Sequence, residues 1–326
     1  PAFHPGDQTV AIPWPIPLEE AILSEKDLHA ESISAVTPIK PRRILVTGAN
    51  GQLGKALQIE FPDAEFVDRS TFDISDTATW GERNWRQYST IINAAAYTKV
   101  DVAETAEGRP EAWAANANAV KNLARLAIEN NLTLVHVSSD YVFDGTAAEH
   151  TEEEAFSPLG VYGQSKAAGD IAAATVPKHY IARTSWVVGD GNNFVKTMAK
   201  LAADGVNPAV VDDQFGRPTF TEDIAKGIKH LVETKAPYGT YNLSNDGDPV
   251  SWKRFAEKVF ELTGNDPDRV GSQSTQDFIN AKTAQGVLVS PRPLQSTLDL
   301  AKIRGAGFAP RRWDTALREY LEQQHS

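Results

Sequence analysis

The stretch PRRILVTGANGQLGKALQIEF constrains the fold of this chain more than any other. Ile44, Leu45 and Val46 form a short apolar run, a glycine-rich turn follows at once, and the residues after the turn have a helical pattern. Strand, turn and helix in that order open a β-α-β unit. Gly48, Gly51 and Gly54 are spaced GxxGxxG. Lacking side chains, they let backbone N–H groups approach a pyrophosphate at the positive end of the following helix. Asp68 closes the next apolar run, AEFVD, twenty residues after Gly48. A carboxylate at that distance accepts hydrogen bonds from an adenosine ribose. The glycines alone are also compatible with a turn that only packs a strand against a helix, and the strand-turn-helix context weighs against that.

Further along, TIINAAAYTKVDVAE is an apolar run ending in small residues and LTLVHVSSDYVFDG is another ending in hydroxyls. Between them EAWAANANAVKNLARLAIENN reads as a helix, with Val120, Leu123, Ala124, Ala127 and Ile128 at helical spacing. Strands alternating with helices predict a parallel sheet, whose ligands collect at the carboxyl ends of the strands. Asn93 to Thr98 and Ser138 to Tyr141 fall there, and Ala94, Ala95 and Ala96 leave room for a flat cofactor.

Tyr162 and Lys166, in GVYGQSKAAGD, stand four residues apart, so a helix presents both on one face. A neighbouring cation favours tyrosinate and is expected to lower the phenol's pKa from about 10, making it a better proton donor near neutral pH. A hydroxyl from Ser139, or alternatively Ser138, completes a three-point contact with a carbonyl oxygen.

A formal charge of −11 with acids and bases interspersed argues against a nucleic-acid or anionic-membrane surface and for small-molecule partners. The chain has no cysteine, which removes disulfides and thiolate metal sites. With no long apolar run and no cleavable signal pattern, the expectation is a soluble, cytoplasmic protein.

The motifs together resemble the extended short-chain dehydrogenase/reductase family and, within it, the branch that reduces dTDP-4-dehydrorhamnose. The likeness runs from about Arg43 to Leu321 through TGANGQLG, NAAAYTKVDVAE, SSDYVFDG, VYGQSKAAGD, RTSWVVGDGNNFVKTM, DQFGRPTFTEDIA and RPLQSTLDLAKI, in the family's order. Several of these are shared with sugar-nucleotide epimerases and dehydratases, whereas RTSWV, NNFVKTM and DQFGRPT together are more specific to the reductases. The resemblance implies an α/β fold. A Rossmann-like doubly wound parallel sheet would occupy 41–189, and a smaller C-terminal α/β substrate domain would come mainly from 190–326, with segments returning to the first domain.

It further implies a catalytic set of Ser139, Tyr162 and Lys166. Tyr162 is the general acid, Lys166 its tuner and a cofactor-ribose ligand, and Ser139 stands where the family commonly has Thr. The implied cofactor is NADPH, with NADH also accepted. Its residues are Gly48, Asn50, Gly51, Gln52, Leu53, Gly54, Asp68, Arg69, Asp73, Ile74, Asn93, Ala94, Ala95, Tyr97, Asn116 and Ser138, joined by Tyr162 and Lys166. The implied substrate residues are Thr98, Val100, Asp101, Ser139, Tyr141, Trp186, Asn193, Gln214 and Arg292. Arg292 belongs to the family's RRP motif, which reads PRP here because Pro291 replaces the first Arg. The expected reaction reduces the C4 ketone of dTDP-4-dehydro-L-rhamnose to dTDP-L-rhamnose. The alternatives are another NAD-dependent sugar-nucleotide epimerase or dehydratase, or a non-catalytic regulatory binding subunit. Some relatives dimerise around Mg²⁺ through a Glu on the first helix; Ala56 stands there and offers no oxygen, so no metal site and no metal-bridged dimer are expected.

Residues 1–40 do not fit this frame. TVAIPWP followed by ILSEKD resembles the carboxyl-terminal tail of the dTDP-4-dehydrorhamnose 3,5-epimerases, cupin enzymes that act immediately before the reductase, over about Thr9 to Asp27. The expectation is a remnant of an epimerase-reductase fusion whose partner is the epimerase domain. HAESISAVTPIKP then serves as a polar, proline-bounded linker.

Overall fold

The computed structural model describes residues 3–36 and 41–324, which divide into two units at Arg42/Arg43. The end of the expected linker, 37–40, lies outside the described residues. In the first unit the Asp7 carboxylate gathers the backbone N–H groups of Thr9 and Ile33 and the Ser32 hydroxyl at 2.7–2.8 Å. The Trp14 indole N–H donates to the Pro5 carbonyl at 2.8 Å. A single short helix, Glu25–Leu28, is capped by Ser24. None of this unit's described residues is buried, so local hydrogen bonds rather than an apolar core hold its turns.

The second unit is organised by six parallel strands: β1 (Arg43–Thr47), β2 (Glu65–Val67), β3 (Tyr88–Asn93), β4 (Thr133–Ser139), β5 (His179–Thr184) and β6 (Gly239–Asn242). Their order is β6-β5-β4-β3-β1-β2. Both sheet faces are covered, which explains why the strands read as continuous apolar runs rather than alternating ones. Leu45, Ile91, Leu134 and Ile181 point to one face, against Val120, Leu123 and Ala127 of α2 (Ala119–Glu129). Their neighbours Val46, Ile92, Val135 and Ala182 point to the other, against Leu57 of α1 (Gln52–Glu60). The period of two survives within each apolar run.

The expected helix over 111–131 is present but interrupted. Gly108–Trp113 is α-helical, Ala114–Asn118 is a π turn, and α2 follows. A π turn inserts an extra residue per turn and is found most often at functional positions.

The strand order reverses between β1 and β3, so the chain leaves β1 toward opposite sheet edges and opens a crevice at the carboxyl ends. The chain continues through α3 (Val161–Ala173), α4 (Phe194–Ala203), α5 (Thr221–Thr234), α6 (Trp252–Leu262) and α7 (Trp313–Gln324). A third apolar cluster joins Val195 and Met198 of α4, Phe255 and Phe260 of α6, and Leu317 of α7. Residues of α5 return to the sheet, where Ile224, Ile228 and Leu231 pack in one cluster with Leu57. Among the described residues no helix is long and apolar enough to cross a membrane.

Candidate active site

The glycine turn is a cradle fixed by close backbone approach. Gly48 has φ +77°, and a Cβ there would stand 2.7 Å from the Ala95 backbone nitrogen. A Cβ on Gly54 would lie 2.1 Å from the Gly48 carbonyl oxygen, so this glycine supports the turn from beneath. Gly51 is the N-cap of α1 and leaves that helix end without a side-chain cap.

Beside the turn, Asn50 donates from Nδ2 to Asp68 Oδ2 at 2.7 Å, while Ser70 and Thr71 hold Asp68 Oδ1. The Ser70 hydroxyl and the Thr71 amide keep that carboxyl down at about 2. Arg69 leaves 89% of its side chain exposed and reaches Asp73 at 3.1 Å. Asn50, Asp68, Arg69, Ser70 and Asp73, with Ile74, Ala95 and Tyr97, border a cleft of about 570 Å³.

A second cleft of about 650 Å³ shares Asn50, Gly51, Ala94 and Ala96 with the first and contains Ser138, Ser139, Tyr162 and Lys166. Gln52 and Leu53 border it from α1, and Thr98, Val100, Tyr141 and Trp186 form further walls. Tyr162 and Lys166 lie one turn apart on α3 and are both buried. The Ser139 hydroxyl donates to Asp140 Oδ1 at 3.0 Å and accepts from the Tyr141 backbone N–H at 3.2 Å. Tyr141 and Tyr162 meet edge to face, with centroids 5.6 Å apart.

The protonation pattern departs from the expected one. Burial pushes the Tyr162 phenol above its ordinary value of 10.0, with the Ser139 hydroxyl pulling the other way. Desolvation of the buried phenolate is the largest cause, and the expected lowering by Lys166 is not among the main ones. Lys166 donates from Nζ to the Val137 carbonyl at 2.6 Å. Burial draws its ammonium down to about 8, opposed by Asp170. Asp170 lies one turn further along α3, 3.0 Å from the Arg183 guanidinium and 3.8 Å from His136 Nε2. The Asp140 carboxyl, buried beside Ser139, is pushed up to about 6. The site thus holds a protonated phenol beside a lysine whose charge is finely balanced.

Not every sequence-derived residue reaches the clefts. Asn93 is fully buried behind them, accepting from the Thr47 hydroxyl at 2.7 Å with its amide 3.2 Å from His136 Nδ1. Asn116, carried by the π turn, accepts from Tyr97 N at 2.9 Å and donates to Tyr97 O at 3.0 Å. It braces Tyr97, which lines the first cleft, rather than lining that cleft itself. Asp101 caps no helix with its side chain; Arg292 grips it through both guanidinium arms at 2.9 and 3.1 Å. This pair fastens the 290–292 segment to the loop after Val100, outside the cleft lining.

Asn193 spends its amide on the Gly189 carbonyl and the Tyr320 hydroxyl, and its Oδ1 caps α4. Gln214 is buried and donates to Thr275. Sequence reasoning missed Lys55, Asp190, Ile224 and Trp252, which all border the second cleft. Lys55 follows the glycine motif directly, and Asp190 and Ile224 fall within RTSWVVGDGNNFVKTM and DQFGRPTFTEDIA, so these three were readable; only Trp252 lies outside every motif.

The family model described as RmlD substrate binding domain matches residues 42–326. A dTDP-4-dehydrorhamnose reductase from Aggregatibacter actinomycetemcomitans is 38% identical over 85% of this chain and 97% of its own length. Among solved structures, a dTDP-4-dehydrorhamnose reductase from Clostridium acetobutylicum is 35% identical, with TM-score 0.77 over 87% of this chain and 100% of that one. The Bacillus anthracis reductase, solved in complex with NADP, is 34% identical with TM-score 0.77 over 87% of this chain and 99% of that one.

Proposed function

We propose, for a chain that belongs to the dTDP-4-dehydrorhamnose reductase family, that it reduces the C4 ketone of dTDP-4-dehydro-L-rhamnose to dTDP-L-rhamnose with NADPH. The observation that carries this reading is the meeting of Ser139, Tyr162 and Lys166 in a cleft that shares its glycine-turn wall with the cleft bordered by Asp68 and Arg69. The residues present fit the cofactor: side chains at Gly48 and Gly54 would collide with backbone, and Asp68 stands at the end of β2 facing that space. Asp68 suits ribose hydroxyls, and the exposed Arg69 guanidinium suits a 2′-phosphate.

Bound NADPH supplies the hydride that C4 receives. Tyr162, kept protonated by burial, donates its phenolic proton to the oxygen that becomes the C4 hydroxyl. Ser139 holds that oxygen in place through its hydroxyl. Lys166 has three N–H donors, of which Val137 takes one. The others serve the tyrosinate left behind and the cofactor ribose. Thr98, Val100, Tyr141 and Trp186 enclose the sugar.

Several finer readings accompany this one. Residues 41–189 form the dinucleotide-binding part and 190–326 mainly the substrate part, with α5 and β6 returning to the first. The amino-terminal segment is read as the epimerase-tail remnant; its support is that the family match begins at residue 42, one residue before the second unit, and leaves that segment outside. A cytoplasmic setting suits a cysteine-free chain that draws on reduced nicotinamide. A Mg²⁺-bridged dimer is disfavoured because Ala56 offers no ligand and the nearby Glu222 and Glu319 carboxylates are engaged by Arg311.

The test is a turnover assay with dTDP-4-dehydrorhamnose and NADPH. A reductase consumes one NADPH for each dTDP-rhamnose formed. Sugar conversion without net NADPH loss would point to an epimerase or dehydratase, and no conversion at all to a binding subunit.

A further inference from the structure

Trp186 sits in a backbone conformation that only glycine adopts freely. Its φ is +45°, in the left-handed region, where a bulky side chain is strained and persists only when the surroundings hold it. Three features hold it here. Its carbonyl accepts from the Thr219 N–H at 3.1 Å. Its indole lies flat on the indole of Trp252, with centroids 3.6 Å apart and planes 12° from parallel. The indole edge rests on Gly216, where a Cβ would come within 2.8 Å of the ring.

Trp252 is itself anchored. It opens α6 directly after Ser251, whose Oγ accepts from Arg254 N at 3.1 Å and donates to Asp212 at 2.6 Å. Phe194 flanks it at 4.7 Å. A two-residue strand pairing sets Gly216 against Val250, two residues before Trp252, so glycine and tryptophan reach Trp186 from one local structure. Both indoles line the cleft that holds Tyr162, and both remain half-buried.

We infer that Trp252 and Gly216 clamp the Trp186 indole as a rigid aromatic wall against the apolar face of the 6-deoxysugar, making Trp252 a positioning residue for sugar recognition. This rests on the reductase reading above, which supplies the sugar. A 6-deoxyhexose presents C–H groups and a methyl where a common hexose carries a hydroxyl, and an indole face is a large apolar surface with a fixed orientation. Holding the wall in place before binding removes the ordering cost at the moment of contact. The clamp therefore acts on sugar affinity and leaves the nucleotide and the cofactor untouched.

The experiment measures dissociation constants for dTDP-L-rhamnose, dTDP and NADPH by calorimetry on the full chain, with thermal melts as a check of folding. Trp252→Ala should weaken dTDP-L-rhamnose by about 10-fold or more, the scale on which apolar pocket contacts discriminate. Trp252→Phe should restore most of that affinity, and NADPH and dTDP should bind as before. Gly216→Ala removes no aromatic contact but displaces Trp186, and should reproduce the same selective loss. Should Trp252→Ala fail to fold, Gly216→Ala and Trp252→Phe carry the test. Unchanged dTDP-L-rhamnose affinity in Gly216→Ala overturns the clamp, as does an equal loss for dTDP, which would put the wall against the base. If the wild-type chain itself bound dTDP but not dTDP-L-rhamnose, the reductase reading would fail and the clamp with it.

Discussion

Lys166 donates a hydrogen bond from Nζ to the Val137 carbonyl at 2.6 Å, so its ammonium is tied to β4 on a side away from bulk water. Burial lowers its pKa from 10.5 to about 8. The folded state therefore binds fewer protons than the unfolded chain between about 8 and 10.5, and this group makes stability rise with pH across that window. Activity moves the opposite way, because the ammonium is the active form. kcat/KM should fall about tenfold per pH unit above roughly pH 8. A pH–rate profile that stays flat to about pH 10, near the unperturbed lysine value, would contradict a lowered Lys166 ammonium as the active form.

Asp170 supplies the charge that opposes this lowering. Asp170→Asn should shift the alkaline limb of the kcat/KM profile below that of the wild type. The same change leaves the buried Arg183 without its carboxylate and should cost about 3–5 kcal/mol of stability. Denaturant titration and the pH profile measured together separate the two effects. A destabilised variant with an unmoved limb would show that Asp170 serves only Arg183.

The backbone plan of the second unit was legible because it rests on local signals. The apolar run of Ile44 to Val46, the GxxGxxG turn and the Tyr162/Lys166 spacing each set one element, and the structure assembles them as a parallel six-stranded sheet. What remained hidden depends on distance or burial. Arg292 meets Asp101 across 191 residues, and no local pattern marks that pair. The π turn that presents Asn116 has an ordinary alanine-rich sequence. The i, i+4 spacing places a cation beside Tyr162, but it says nothing about how far the phenol is desolvated, and desolvation sets its pKa. Trp252 follows no recognisable motif, and its stacking on Trp186 depends on a two-residue strand pairing.

Arg69 is largely exposed at the edge of the 570 Å³ cleft and pairs with Asp73. Surface pairs of this kind contribute little to stability, about 0–1 kcal/mol, so removing it tests recognition rather than folding. Arg69→Ala should raise the KM for NADPH more than the KM for NADH. Steady-state kinetics with both cofactors give the answer, and equal changes would leave the 2′-phosphate to another group.

The amino-terminal unit has no buried residue among those described, and the family match includes only its last residue, Arg42. A chain beginning at Lys40 should keep its turnover, with a Tm within about 4 °C of the full chain, the shift expected for roughly 1 kcal/mol in a domain of 150–250 residues. Loss of activity, or a fall of more than about 8 °C, would make that segment an integral part of the reductase.

The account stands or falls on Tyr162 as the proton donor. The direct measurement is single-turnover reduction of dTDP-4-dehydrorhamnose by Tyr162→Phe with saturating NADPH, alongside the cofactor's dissociation constant. The phenyl ring keeps the edge-to-face contact with Tyr141 and loses only the hydroxyl. The account predicts unchanged NADPH binding and a rate about 10²–10⁴-fold lower than wild type. A variant that reduces the ketone at close to the wild-type rate would contradict it.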